Sequence, residues 1–387
     1  MARRVRLRDL DDGLALFFPA PRSLTGEDVA ELHVHGGRAV VSGVMAALRG
    51  LGLRLAEPGE FTRRAFLNGK LDLTQAEAVA DLAAAETEAQ RRQALRQLDG
   101  ALGGLYRGWS DRLLRLLAHL EAAIDFPDED LPAEIESRVA HETAALGAEI
   151  AAHLADAHRG ERLRDGIDIA VVGPPNAGKS SLLNRLARRE AAITSPIPGT
   201  TRDVVEVAID LAGFPVVLAD TAGLRESGEA IEREGVRRAL ARAEKADLRL
   251  YVFDAAVPFG AEAAATAWPS GDTILVANKT DLADSRVPPG AIAVSALTGD
   301  GIARLVSAVA ERISARYDGA APVLTRARHR EALEAAADAL VRAGNAPLPE
   351  LKAEDLRLAW RSIARITGRA DIEDLLDVIF GEFCLGK

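Results

Sequence analysis

The chain has 387 residues, 48% of them apolar, with a formal net charge of −10 and one cysteine. That length exceeds what one hydrophobic core usually organises, so two or three domains are expected; the acidic balance excludes a protein that coats nucleic acid by bulk electrostatics and leaves RNA only a local basic patch. A lone cysteine, Cys384, excludes an internal disulfide framework, and no apolar run is long enough to span a bilayer.

The first residues carry arginines with no apolar stretch behind them, which does not fit a secretory leader. A soluble, cytoplasmic protein is expected. From Gly13 to Phe61 the text is short and punctuated: Leu14 to Phe18, a break at Pro19 and Pro21, then Ala30 to His35 ending in Gly36-Gly37, which predicts a small α+β piece. From Leu71 to about Leu163 the period becomes helical, with Leu102, Leu105, Trp109, Leu113, Leu116, Leu120 and Ile124 at three- and four-residue steps. Asp125 to Pro132 interrupts it. From Gly166 the rhythm is strand, loop, helix: Ile167–Val172, Ser180–Leu186, Val204–Ile209, Val216–Asp220, Leu248–Phe253, Thr273–Ala277 and Ile292–Val294. That alternation predicts a doubly wound, mostly parallel sheet with its ligand at the carboxyl ends of the strands. Helical text returns after Tyr317, through Leu333–Arg342 and Leu356–Ile366. The economical reading is an α/β domain (164–317) inserted into a discontinuous all-α domain (70–163 and 318–387), behind a small α+β N-terminal domain (1–69).

Gly173-Pro174-Pro175-Asn176-Ala177-Gly178-Lys179-Ser180 stands between an apolar strand and a helix and fits a phosphate-binding loop. Its glycines let backbone N–H groups wrap phosphate oxygens, and the helix N-terminus adds positive potential. Lys179 is expected on the β- and γ-phosphates and Ser180 on Mg²⁺. Asp220-Thr221-Ala222-Gly223 follows a strand, placing a carboxylate behind the metal and a glycine N–H beside the γ-phosphate. Between them, Gly199-Thr200-Thr201-Arg202-Asp203 offers a threonine to the metal shell. Asn278-Lys279-Thr280-Asp281 ends another strand; Asp281 can accept hydrogen bonds from guanine N1 and N2, a donor pair that adenine lacks. Ser295-Ala296-Leu297 supplies a backbone N–H toward the base oxygen. A chance glycine turn would not bring the other boxes with it in this order, so a GTPase is the reading. Leu224 stands where a water-positioning glutamine is usual, and an apolar side chain cannot orient water. The group that does so must come from elsewhere, with Glu226, Glu229, Glu232 and Glu234 as candidates.

The nucleotide boxes, together with Gly59–Ala78 (GEFTRRAFLNGKLDLTQAEA), Ile124–Asp130 (IDFPDED) and the terminal Phe383–Lys387 (FCLGK), resemble the tRNA-modification GTPase MnmE (TrmE) family over almost the whole chain. The resemblance implies a homodimer that joins the flavoprotein MnmG in a heterotetramer and modifies carbon 5 of wobble uridine 34 in certain tRNAs, with a reduced folate (5-formyl- or methylene-tetrahydrofolate) as one-carbon donor. It implies K⁺-dependent closure of paired G domains, with K⁺ on Asn176, Ser195, Ile197 and Thr200, and Mg²⁺ on Ser180 and Thr201. The implied GTP contacts run through Asn176–Ser181, across Ser195, Pro196, Ile197, Pro198, Gly199, Thr200 and Thr201, and on to Asp220, Thr221, Ala222, Gly223, Asn278, Lys279, Asp281, Ser295 and Ala296. Glu232 matches the acid that orients the attacking water. Glu31, Lys70 and Lys387 match folate positions, and Cys384 lies in the terminal element beside them, a possible functional thiol. Two departures stand out: the family's N-terminal glycine-rich strand with its folate arginine has no counterpart before Ala2, and Pro196 and Pro198 sit inside the potassium loop.

Blander readings apply elsewhere. His33 and His35 share a strand face but have no third ligand nearby, which argues against a metal. Cys384 beside Phe383 and Leu385 also reads as a small buried hydrophobe. Trp109 and its leucine stripe read as core, Asp128-Glu129-Asp130 as a solvated turn, and Arg91, Arg92, Arg96, Arg112 and Arg115 as an exposed helix face or part of an RNA track. A GTP-dependent ribosome-assembly switch without modification chemistry is the alternative function. The G domain alone does not separate the two, whereas Gly59–Leu73 and Phe383–Lys387 match only the modification enzyme.

Overall fold

The structure is a computed structural model that describes residues 2–125, 134–156, 158–189, 206–220, 243–258, 272–317, 319, 321–370 and 379, with backbone alone at 134–136, 206 and 220. In chain order come β1 (Ala2–Leu7), β2 (Asp11–Phe18), β3 (Val29–His33), α1 (Arg38–Gly50), α2 (Glu60–Leu67), α3 (Leu73–Ala84), α4 (Glu88–Leu98), α5 (Ala101–Asp125), α6 (Glu134–Leu154), α7 (Arg159–Asp165) and β4 (Ile167–Val172). They are followed by α8 (Lys179–Arg189), β5 (Glu206–Leu211), β6 (Phe214–Asp220), β7 (Leu248–Asp254), β8 (Thr273–Asn278), β9 (Ile292–Ala293), α9 (Ile302–Tyr317), α10 (Ala327–Asn345) and α11 (Pro349–Thr367). The chain divides into two compact units: Met1–Ala83 with Ala94–Leu154 and Arg328–Lys387, and Ala84–Gln93 with Ala155–Ala327. Among the described residues no helix is long and apolar enough to cross a membrane.

The first unit holds an antiparallel sheet in the order β1-β2-β3, with Ala2 opposite Leu16 and Leu16 opposite Glu31. The first strand was not expected from sequence, because its exposed arginines hide the apolar alternation of Val5 and Leu7. Strand β3 ends at His33, so the two histidines do not share it. His33 Nε2 lies 3.0 Å from Glu31 Oε2, whereas His35 Nδ1 meets Asp11 Oδ1 at 2.8 Å.

Helix α3 opens on a reciprocal cap. The Asp72 N–H donates to Gln75 Oε1 at 3.0 Å while the Gln75 N–H donates to Asp72 Oδ1 at 3.0 Å, satisfying two donors that a helix start leaves open. Farther along, Glu77 is buried, its Oε1 accepting from Arg328 Nε at 2.6 Å and its Oε2 lying 2.9 Å from His329 Nε2, both on α10. Burial alone would raise this carboxyl; the cationic partners outweigh it and hold it well below the usual glutamate range. The leucine stripe of α5 is core, as its period predicted, with Leu102, Trp109, Leu113, Leu116 and Leu120 all buried. The Trp109 indole N–H donates to Glu149 on α6 at 2.9 Å, and Arg112 reaches the same carboxylate at 2.7 Å.

The second unit is built on a six-stranded sheet in the order β5-β6-β4-β7-β8-β9, parallel except for the β5–β6 pair. Central strand β4 reads Ile-Asp-Ile-Ala-Val-Val and is buried at all but Asp168, as a parallel strand covered on both faces must be. Helices α8 and α9 pack Leu182, Leu186, Leu305 and Val309 into the core beside β4, β7 and β8. Strand alternation here predicted the mostly parallel sheet and the step from strand β4 into helix α8.

Candidate nucleotide site

The loop after β4 has a backbone that its sequence explains. Gly173 sits at φ 140 and Gly178 at φ 89, and a Cβ on the first would run into the Val252 carbonyl while one on the second would meet the Asn278 amide. Asn176 takes φ 61, a left-handed conformation that asparagine tolerates better than most residues. Ala177 is buried, Pro174, Pro175 and Asn176 stand exposed, and α8 begins at Lys179 with Ser180 and Ser181 exposed in its first turn. Lys179 is buried and its Nζ donates to the Gly173 carbonyl at 2.9 Å and the Pro174 carbonyl at 2.8 Å. The loop is thus closed over its own lysine, with the helix N-terminus behind it, an arrangement suited to anions. Asp220 ends β6 with its backbone in register with Val171, two residues ahead of Gly173.

The base-reading end follows β8. The Asn278 side chain is buried and bridges two loops: Nδ2 donates to the Ala177 carbonyl at 2.8 Å, and Oδ1 accepts the Ala296 N–H at 3.0 Å. Lys279, at φ 64, pairs with Asp254 Oδ2 at 2.7 Å. That hydrogen bond and the Ala256 N–H hold the Asp254 carboxyl below its usual range. Asp281 is exposed, and one of its oxygens accepts from Ser295 Oγ at 2.6 Å. From α8, Arg185 Nε donates to the Ala296 carbonyl at 3.0 Å and its terminal nitrogen to the Leu297 carbonyl.

The structure therefore brings together Asn176–Ser181, Asn278, Lys279, Asp281, Ser295 and Ala296 at the carboxyl ends of β4, β8 and β9. Ser195, Pro196, Ile197, Pro198, Gly199, Thr200, Thr201, Thr221, Ala222, Gly223, Glu232, Cys384 and Lys387 lie outside the described residues, as does the side chain of Asp220. Of the folate candidates, Glu31 stands on β3 beside His33, and Lys70 Nζ donates to the Pro21 carbonyl at 3.0 Å. No hydrogen bond or ion pair joins those two among the described residues. Sequence reading missed Arg185, Asp254 and the bridging role of Asn278. A charged residue closing the apolar strand β7, next in the sheet to the strand of Asn278-Lys279, was the available signal for Asp254; nothing in the text marks Arg185.

A mostly parallel sheet with a phosphate loop after its central strand, and a carboxylate-bearing Asn-Lys-Thr-Asp turn after the next strand but one, defines a P-loop domain of the GTPase class. The family models named "MnmE helical domain" and "GTP-binding protein TrmE N-terminus" match residues 73–384 and 2–70. The tRNA modification GTPase MnmE of Rhodospirillum rubrum is 61% identical over 98% of this chain and 85% of its own length. Its counterpart in Parvibaculum lavamentivorans is 60% identical over 98% of this chain and 87% of its own, and that of Paramagnetospirillum magneticum is 58% identical over 100% and 90%. The chain belongs to the tRNA modification GTPase MnmE family.

Proposed function

We propose that this protein hydrolyses GTP to drive tRNA wobble-uridine modification, acting in the cytoplasm as a homodimer with MnmG to place a carboxymethylaminomethyl-type group at carbon 5 of uridine 34. The observation that carries the nucleotide half is the Asn278 bridge, by which the guanine-reading turn holds the phosphate loop at Ala177 (2.8 Å) and the Ser295–Leu297 loop at Ala296 (3.0 Å). Family membership supports the tRNA half. In this reading the three-part division at residues 1–69, 70–163 with 318–387, and 164–317 assigns folate and dimer contacts, helical scaffold and GTPase in turn, with Glu31, Lys70 and Lys387 toward a reduced folate.

Backbone N–H groups of the Gly173–Ser180 loop bind the phosphates, Lys179 supplies the cation, and Asp281 selects guanine. Ser180, exposed in the first turn of α8, fits a magnesium ligand, with Thr201 as its partner. Asn176, exposed at the loop apex, suits a cation ligand through its amide oxygen, and Ser195, Ile197 and Thr200 would complete a potassium shell. Such cations supply positive charge where the phosphoryl oxygens gain negative charge. Glu232 orients the attacking water.

The test is GTP turnover in K⁺ and Na⁺ at equal ionic strength. The rate is expected to rise at least about tenfold in K⁺, since a positioned positive group at a developing oxyanion is worth that and more, and Asn176→Ala should remove the difference. Equal rates in the two salts would remove the potassium assignment. Glu232→Ala should bind GTP normally yet lose about two orders of magnitude in single-turnover hydrolysis, the scale of a lost proton-handling group. For the tRNA half, mass spectrometry of nucleosides after incubation with MnmG, folate and tRNA must show a carbon-5 adduct on uridine 34. Hydrolysis with no adduct would favour the assembly switch.

A further inference from the structure

The loop Ser295–Gly301 is braced internally, the Ser295 N–H donating to the Asp300 carbonyl at 2.9 Å and the Gly299 N–H to the Ser295 carbonyl at 2.8 Å. It is held from outside on two sides. The turn after β8 takes one side, through Asn278 to the Ala296 N–H and Asp281 to Ser295 Oγ. Arg185 takes the other, its guanidinium spread across the carbonyls of Ala296 and Leu297. No carboxylate pairs with Arg185 among the described residues, so its charge is spent on two neutral acceptors. We infer that Arg185 is a positioning residue for the guanine O6 contact: it aims the Ala296–Leu297 peptide from α8, the helix whose first turn binds the phosphates. This inference rests on a guanine nucleotide occupying the site proposed above.

The physical case has two parts. A guanidinium fork on two successive carbonyls fixes the rotation of both peptide planes, which one donor would leave free. The Ala296 carbonyl also belongs to the peptide whose other end is the Leu297 N–H. A cation on the oxygen withdraws charge through that peptide and makes its N–H a better donor. Because the Ala296 N–H is already committed to Asn278, the Leu297 N–H is the donor of this tripeptide that has no acceptor among the described residues. Leu297 as a residue is 78% exposed, so packing does not hold that peptide; Arg185 does.

Three nucleotides separate this role from general support. Guanosine and inosine diphosphates both carry O6, whereas 2-aminopurine riboside diphosphate has hydrogen at that position. Calorimetry on the full chain should find GDP and IDP weakened about tenfold by Arg185→Ala, the worth of a charged hydrogen-bond pair. The 2-aminopurine nucleotide should change less than about twofold. Arg185→Lys, which reaches one carbonyl at a time, should fall between and keeps the test open if the alanine variant does not fold. Equal weakening of all three nucleotides in either variant, or unchanged GDP affinity in both, would overturn the assignment. A wild-type chain that fails to bind GDP at all would instead overturn the nucleotide reading on which it stands.

Discussion

One carboxylate oxygen of Asp281 accepts from Ser295 Oγ at 2.6 Å, so the group is oriented by the protein and not by the base. That fixes what an amide would do in its place. In Asp281→Asn the side-chain oxygen keeps the serine hydroxyl and the NH₂ turns to the base, where guanine offers N–H donors and xanthine offers a carbonyl. GTP affinity should fall about a hundredfold, the penalty for facing donor with donor, and XTP should become the better ligand. Competition of the two nucleotides for a fluorescent diphosphate checks this, and retained GTP preference would mean that the turn is not the base reader. The Asn-Lys-Thr-Asp turn was legible in sequence because its residues stand side by side. Of the groups around it, Ser295 was read as part of the base loop, whereas Arg185 and Asp254 were not: they come from other stretches of chain, and only the sheet brings them to the Ala296–Leu297 peptide and to Lys279.

Among the elements, α3 shows what a recognised stretch of text does physically. Leu71-Asp72-Leu73-Thr74-Gln75 belongs to the signature that suggested the family, and in the fold it is a helix start, with Asp72 and Gln75 exchanging backbone bonds and Arg107 closing on the same carboxylate. Asp72→Ala should cost about 1–2 kcal/mol, the range for losing a capping side chain, seen as a lower midpoint in urea with an unchanged slope. An unchanged midpoint would show the cap to be dispensable. Elements with strong periodicity, α5 above all, were readable because burial on one face leaves a leucine stripe; β4 was readable because a strand covered on both faces is apolar at all but one of its positions. Strand β1 and helix α1 escaped because little in them is buried: Arg3, Arg4 and Arg6 face water, and Val44 is the one buried residue of α1. Pattern reading sees burial, and these segments have little to show.

At the scale of the molecule, Glu77 closes a loop of 252 residues onto His329. Both groups are wholly buried, so removing the acid leaves cationic partners without their counter-charge. Glu77→Gln should destabilise the first unit by about 3–5 kcal/mol, the cost of breaking a buried pair from one side. The pH dependence has a definite sign. The folded carboxyl lies below the 4.5 of an ordinary glutamate, so its stabilisation is complete above that value and drains away as pH falls below it. The gap between wild type and Glu77→Gln should therefore be widest near neutrality and narrow below about pH 4.5; a gap independent of pH would mean that packing, not charge, holds the site. The same pair carries a consequence for biosynthesis. The first unit draws on Met1–Ala83 and on Arg328–Lys387, whereas the second closes with Ala327. A chain emerging from the ribosome thus exposes its whole nucleotide-binding half before the arginine and histidine that Glu77 needs have left the tunnel. The scaffold, though begun first, is finished last.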